Sequence, residues 1–186
     1  MGRKSEREPR RKEILQAFAK VLSNHGYAGA TVQAVAAEAG LSPGLLHHHF
    51  RNKQEMLEEL FGHLVELFRA RLDQQENQDV GAYINAALKL DRGSDLGSAR
   101  CWVGIFAEAL REPALFEKLK RYLEREIGTL SSLSKKRLSE HESSALLAYI
   151  LGALVFGAFA PRKTAGFAAP GAEIFARALL SPKSSI

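Results

Sequence analysis

The sequence predicts an all-α protein of about nine helices. Two observations carry that expectation. Apolar residues recur at three- and four-residue spacing along nearly the whole chain, and no segment alternates with period two over a strand's length. The 186 residues suit one globular unit, or a small module joined to a larger one, and can bury a sizeable core. With 46% hydrophobic and 25% charged residues, wholesale disorder is excluded. No internal repeat is visible.

Each helix has its own start and stop signals. Ile14, Phe18, Val21, Leu22 and His25 form one face of a first helix, with Pro9 in its first turn and Gly26 just past its end. Thr31 can cap a short second helix over 32–39, stopped by Gly40. Ser42 can cap a third, from Pro43 to about His49. Asn52 and Glu55 are placed as a capping pair for a long fourth helix with a stripe from Leu57 to Leu72. A fifth helix is expected over 79–90, ended by the turn-rich residues 91–94. Trp102, Ile105, Phe106, Ala109 and Leu110 line a sixth. Pro113 opens a seventh, with Phe116, Leu119, Leu123, Ile127 and Leu130 inward. Ser139 and Glu142 read as a capping box for an apolar helix running to about Ala160. Residues 161–171 read as a loop, and Ile174, Phe175, Ala178 and Leu179 stripe a last short helix.

Charge is unevenly placed. The formal net charge is +5, and residues 1–53 hold nine Lys/Arg against four acids, so the whole excess lies there. A one-ended positive field attracts polyanions. The single cysteine, Cys101, excludes an internal disulfide and a CxxC metal or redox pair. The N-terminus MGRKSEREPRRKE is charged throughout and has no apolar core, so no secretory signal is expected. The longest uncharged apolar run, 145–160, falls short of the roughly 20 residues of a membrane span. The expectation is a cytoplasmic protein with no membrane partner. No Gly-rich phosphate loop, HExxH or nucleophile elbow is present, so no enzyme activity and no cofactor is expected.

The functional constellation is residues 27–53. Two short helices joined by Gly40-Leu41 make a helix-turn-helix, and Gly40 can adopt the turn's left-handed conformation without steric cost. Leu41, Leu46 and Phe50 are spaced to pack onto Phe18, Leu22 and Val35. Ser42, Pro43, Gly44, Leu45, His47 and His48 remain outward, small or neutral groups suited to a helix in a major groove. The N-terminal amides of the third helix and those near Thr31 suit phosphate. Consecutive residues on a helix diverge by roughly 100°, so His47, His48 and His49 cannot grip one metal ion together, and no metal site is expected.

Residues 31–53 resemble the DNA-binding region of the tetracycline-repressor (TetR) family of bacterial regulators. The family's pattern is met at Thr31, Ala36, Ala39, Gly40, Ser42, Gly44, Leu46, His49, Phe50 and Lys53. His47 and His48 stand where the family usually places backbone-contacting aromatic residues. The resemblance implies that Thr31 and Lys53 hold phosphates, that Ser42, Pro43, Gly44, Leu45 and His47 lie at the groove, and that His48 meets the backbone. Gln33 is equally a phosphate or base contact and a plain solvated residue. Arg10, Arg11 and Lys12 are candidates for added backbone contacts.

The resemblance also divides the chain. Residues 1–53 would be the DNA-binding domain, with the start of a linking fourth helix, and 54–186 an effector-binding and dimerisation domain. Residues 99–122 are weakly similar to the choline/betaine-regulator (BetI-like) branch. Trp102, Phe106, Tyr149 and Phe156 are the candidate linings of a small-molecule pocket, with plain core as the more ordinary reading of any one of them. Cys101 reads as a buried small hydrophobe, with thiol sensing as its only chemical alternative. The apolar helix around 143–160, with small pairs Ala148/Gly152 and Ala153/Gly157, and the helix around 171–180 are expected to form a four-helix homodimer interface. The expected function is a dimeric regulator, a repressor of a palindromic double-stranded DNA operator released by a small-molecule effector. The rival is an all-α adaptor whose helix-turn-helix binds protein.

Overall fold

In the computed structural model, residues 3–88, 93–164 and 167–181 are described, and all their regular structure is helical. In chain order the helices are α1 (Arg3–Gly29), α2 (Val32–Glu38), α3 (Pro43–His49), α4 (Lys53–Asp73), α5 (Val80–Leu88), α6 (Gly93–Ala109), α7 (Pro113–Leu133), α8 (Glu140–Phe159), α9 (Pro161–Thr164) and α10 (Ala168–Leu180). The all-α expectation holds.

Most starts fall where their signals lie, because the capping side chains do satisfy first-turn amides. Ser139 and Glu142 form the reciprocal capping box of α8. Asp79 Oδ1 accepts from Ala82 N at 2.8 Å at the head of α5. Pro113 sits in the first turn of α7. Gly26 marks a bend rather than an end: its φ of 69° breaks the helical path, and one further turn runs to Gly29.

Several expectations need correction. His25 is exposed, although the spacing put it on the inner face of α1, because the bend at Gly26 turns that last position toward solvent. Gly93 and Ser94 begin α6 rather than closing a turn, while the rest of that turn and the end of the fifth helix lie outside the described residues. Leu110 follows α6 and is exposed. Phe116 points outward, and the inner face of α7 runs through Leu115, Leu119, Tyr122, Glu126 and Leu130. The stretch read as a loop contains α9, and the first turns of α10 start at Ala168. Thr164 sustains α9 by donating from its hydroxyl to Ala160 O at 2.9 Å.

Two apolar cores stack along α4. The first joins Ile14, Phe18 and Leu22 of α1, Val35, Leu46 and Phe50 of the helix-turn-helix, and Met56 to Leu64 of α4, and it draws in Ile105, Leu115 and Leu119 of α6 and α7. The second gathers Phe68 and Leu72 of α4 with α5, α8, α10 and parts of α6 and α7. Trp102 and Leu123 pack against both. The helix-turn-helix is therefore built onto the body and shares its apolar filling, with α4 running through both cores.

Candidate nucleic-acid interface

The helix-turn-helix forms as its local signals require. Thr31 Oγ1 accepts from Ala34 N at 3.1 Å and Ser42 Oγ from Leu45 N at 3.2 Å, so each cap satisfies one orphan amide of its helix. Gly40 has a φ of 66°, the left-handed turn its sequence position demands. Leu41 N donates back to Ala36 O at 2.8 Å and closes the turn. On α3, Leu46 is fully buried while Ser42, Pro43, Gly44, Leu45, His47 and His48 are all exposed. Thr31 and Gln33 are exposed beside them. The structure thus places these eight candidates on the outer surface of one short motif.

The capping pair at α4 differs in detail from its sequence reading. Asn52 Oδ1 accepts from Glu55 N at 2.8 Å, but the Glu55 carboxylate turns to Arg51, accepting from its backbone N–H at 2.8 Å and its Nε at 3.1 Å. The Arg51 N–H bond holds the Glu55 carboxyl below the usual carboxylate range, and Arg11 adds to this.

Arg11 is the residue whose role the sequence concealed. It was a candidate for DNA backbone contact, yet its guanidinium is turned inward. It donates to His49 O at the end of α3 and to both oxygens of Glu59, and it approaches Glu55 Oε1 at 3.4 Å. Its plane also covers the Phe50 ring at 4.1 Å. One side chain of α1 therefore ties α3 to the first turns of α4, which fixes the exposed face of α3 relative to the body. The i, i+4 acid pair Glu55 and Glu59 was the available sequence signal, but nothing local pairs it with a residue more than forty positions away. Arg10 pairs with Glu13 at 2.5 Å on the exposed side of α1. Lys12 is exposed.

Lys53 is half-buried. Its Nζ donates to Tyr27 O at 2.8 Å and lies 3.9 Å from the Tyr27 ring centroid. It joins the start of α4 to the end of α1, and an ammonium has donors beyond the one used here.

A second feature lies in the body. An apolar cleft runs between α4, α5, α6, α7 and α8, with about 670 Å³ of atom-free space including its open mouth. Of the four residues expected to line a pocket, Trp102 does so and three do not. Phe106 packs against Trp102 on the side of the first core, at 6.0 Å between rings. Tyr149 stacks on Phe175 at 5.7 Å. Phe156 lies on the outer face of α8, edge-on to Phe167 at 6.4 Å. An aromatic at helical spacing shows a stripe, and only the packing decides which side of the stripe meets this cleft.

The cleft's wall contains a buried polar cluster that sequence reading missed. Glu126 is 0% exposed, and its Oε2 accepts from the Tyr83 hydroxyl at 2.8 Å while Oε1 takes the Arg69 guanidinium. Burial pushes the Glu126 carboxyl up, and the bonds from Tyr83 and Arg69 oppose that. Burial and the neighbouring carboxylate also push the Tyr83 phenol up, so it stays a donor. Cys101 is buried, donates weakly to Ala19 O, and is pushed up to about 12 by burial, the opposite of a reactive thiol.

These features define a helix-turn-helix DNA-binding protein with a separate apolar cleft. Residues 14–60 match the family model of bacterial regulatory proteins of the tetR family. It is 27% identical to the HTH-type transcriptional regulator BetI of Agrobacterium fabrum, over 81% of this chain and 75% of the relative. It is 29% identical to BetI 2 of Chromohalobacter salexigens over 57% of this chain, and there it spans 55% of the relative's length. A transcriptional regulator from Rhodococcus sp. Rha1 shares the fold, with a TM-score of 0.82 and 24% identity over 91% of this chain and 95% of that one.

Proposed function

We propose that the protein is a one-component transcriptional repressor, a homodimer that binds a palindromic operator and releases it on binding a small molecule. The observation that carries this reading is the exposed surface of α3, held rigidly by the Arg11 latch, at the basic end of the chain. Small and neutral groups from Ser42 to Leu45 suit close approach to base edges, while His47, His48, Thr31, Gln33 and Lys53 supply donors for phosphate and base. Residues 1–53 form the reading head, and 54–186 carry the dimer and effector functions.

The dimer reading rests on an uncovered apolar face. Along α8, Ala145, Ala148, Gly152, Val155, Phe156 and Phe159 are all exposed, Phe167 meets Phe156 edge-on, and Ile174 of α10 is exposed as well. Phe159 is 75% exposed and Phe156 52%, which is costly for a monomer in water. The Ala148/Gly152 pair lies on this face. Ala153 and Gly157 are buried against the chain's own body, so they pack within the protomer. At 20 residues α8 is long and apolar enough to cross a membrane, longer than the uncharged run alone suggested, because its capping box opens it at Glu140. Its Ala153 side packs into the second core, and a second copy of α8 and α10 accounts for the remainder.

The effector reading rests on where the cleft lies. Leu64, Leu67, Phe68 and Arg71 of α4 form one wall, and the other end of the same helix carries the Arg11 latch. A molecule wedged against that wall moves α4, and α4 moves the head. For this to release DNA, the molecule must bind one spacing of the heads better than the other. The test is a fluorescence-anisotropy titration with the DNA flanking the protein's own gene. Tight, salt-sensitive and competitor-resistant binding is expected, and binding no stronger than to random DNA overturns the proposal.

A further inference from the structure

We propose that DNA binding by this protein is coupled to protons: His47 and His48 meet the DNA as imidazolium ions, so the reading head holds its operator more tightly as pH falls. The inference deepens the DNA-binding reading and rests on it. Its starting point is a charge pattern inside the basic head. Residues 21–50 run from the second half of α1 through α2 and α3, and they contain no Lys or Arg and one acid, Glu38. They hold four of the six histidines, His25, His47, His48 and His49. With neutral imidazoles the formal charge of this stretch is −1, the wrong sign for a surface that meets a polyanion. Within it, histidine is the residue type that can reverse that sign.

Fixed cations on the elements around α3 are engaged within the fold. On α1, Arg11 bonds His49 O, Glu55 and Glu59, Arg10 pairs with Glu13, and Lys20 pairs with Glu38 of α2. At the start of α4, Arg51 pairs with Glu55, and Lys53 donates to Tyr27 O. Lys12 and Glu8 are exposed on α1. On α3 itself Leu45 has no polar group, and the Ser42 hydroxyl oxygen is the helix cap. His47 and His48 are exposed there side by side. A neutral imidazole has one donor and one acceptor nitrogen, whereas an imidazolium has two donors and a positive charge. Phosphate oxygens only accept, so they favour the charged form. An imidazole ordinarily titrates at about 6.5, and an anion within hydrogen-bonding reach raises that value by about one unit or more. The gain in affinity is therefore fully present below the value in free protein and is lost as pH rises through the value in the complex. A rise of one unit corresponds to about ten-fold in affinity for each imidazole.

The test titrates the full chain with the DNA flanking its own gene between about pH 5.5 and 8, a window that brackets the imidazole range. Binding is followed by fluorescence anisotropy at several salt concentrations. At the acid end it is expected to be about ten-fold tighter or more, with a salt slope steeper by about one for each phosphate gained. Calorimetry in two buffers of different ionisation enthalpy is expected to show net proton uptake on binding. The double variant His47→Gln, His48→Gln is expected to bind weakly throughout and to lose the pH dependence. The double variant His47→Lys, His48→Lys is permanently charged, and it is expected to bind at the alkaline end as the native chain does at the acid end. His25→Gln, in the same stretch but outside α3, is expected to keep the native profile. Native affinity that is flat across the window overturns the proposal, as does a pH dependence that survives in the Gln double variant or disappears in His25→Gln. These three results leave the DNA-binding reading standing. A native chain that binds this DNA no better than random DNA at every pH sinks that reading, and this inference with it.

Discussion

Arg11 shows how a charged residue changes meaning once its surroundings are fixed. Its guanidinium pKa is raised, chiefly by the bond to Glu59, and it is shielded by Phe50. Its loss leaves the end of α3 and two acids of α4 without their shared partner. Arg11→Ala is expected to lower the unfolding midpoint and to weaken DNA binding without lowering the salt slope, because no phosphate contact is lost. His48→Ala, on the exposed face, is expected to weaken binding several-fold and reduce the slope, with the unfolding midpoint unchanged. Denaturation and salt-dependent binding, measured on both variants, separate a latch from a contact. Glu55 and Glu126 respond to pH with opposite sign. The Glu55 value is depressed in the fold, so its stabilisation is present above the ordinary carboxylate value of about 4.3 and is lost as pH falls through the folded value. The Glu126 value is raised, so its contribution is present below about 4.3 and is lost as pH rises through the folded value. Glu55→Gln is therefore expected to flatten the acid limb of the stability profile, and Glu126→Gln to flatten the limb just above it. Chemical denaturation across pH 3 to 7, a window set by those carboxylate values, checks both.

Among the elements, α3 has only seven residues, and it is held by one fully buried side chain. Leu46 is fully buried in the core that α3 shares with α1 and α2, and Leu46→Ala is expected to cost about 2–5 kcal/mol. Urea denaturation measures this, and a cost under about 1 kcal/mol would show that the motif is not packed as described. The turn before α3 makes a complementary demand. Gly40→Ala places a side chain at a φ of 66° and is expected to cost about 1 kcal/mol, although open space surrounds the position. These elements were legible in the sequence because each is bounded by local chemistry: Thr31, Ser42, Asn52 and Ser139 cap where they stand. The misplaced residues share a different origin. His25, Leu110 and Phe116 sit at helix ends or on flanks, where a periodic pattern gives a face but not its limits.

At the scale of the whole molecule, the uncovered stripe on α8 asks for a partner. Phe159→Asp is expected to convert a dimer into a monomer in sedimentation, with the helical circular-dichroism signal retained, and to weaken operator binding through loss of the second half-site. A monomeric native protein at micromolar concentration would refute the interface. The sequence by itself determined the all-α class, the helix-turn-helix and its exposed residues, and the basic head on a neutral body. Those properties are written in short-range spacing and in capping side chains, and short-range physics decides them. Only the tertiary structure decided that Arg11 faces inward, that Lys53 is anchored on Tyr27, that Glu126 is buried with Arg69 and Tyr83, and that Trp102 meets a cleft while Tyr149 and Phe156 do not. Each of those outcomes depends on which helices pack together over separations of 26 to 57 residues, and no local pattern encodes that pairing.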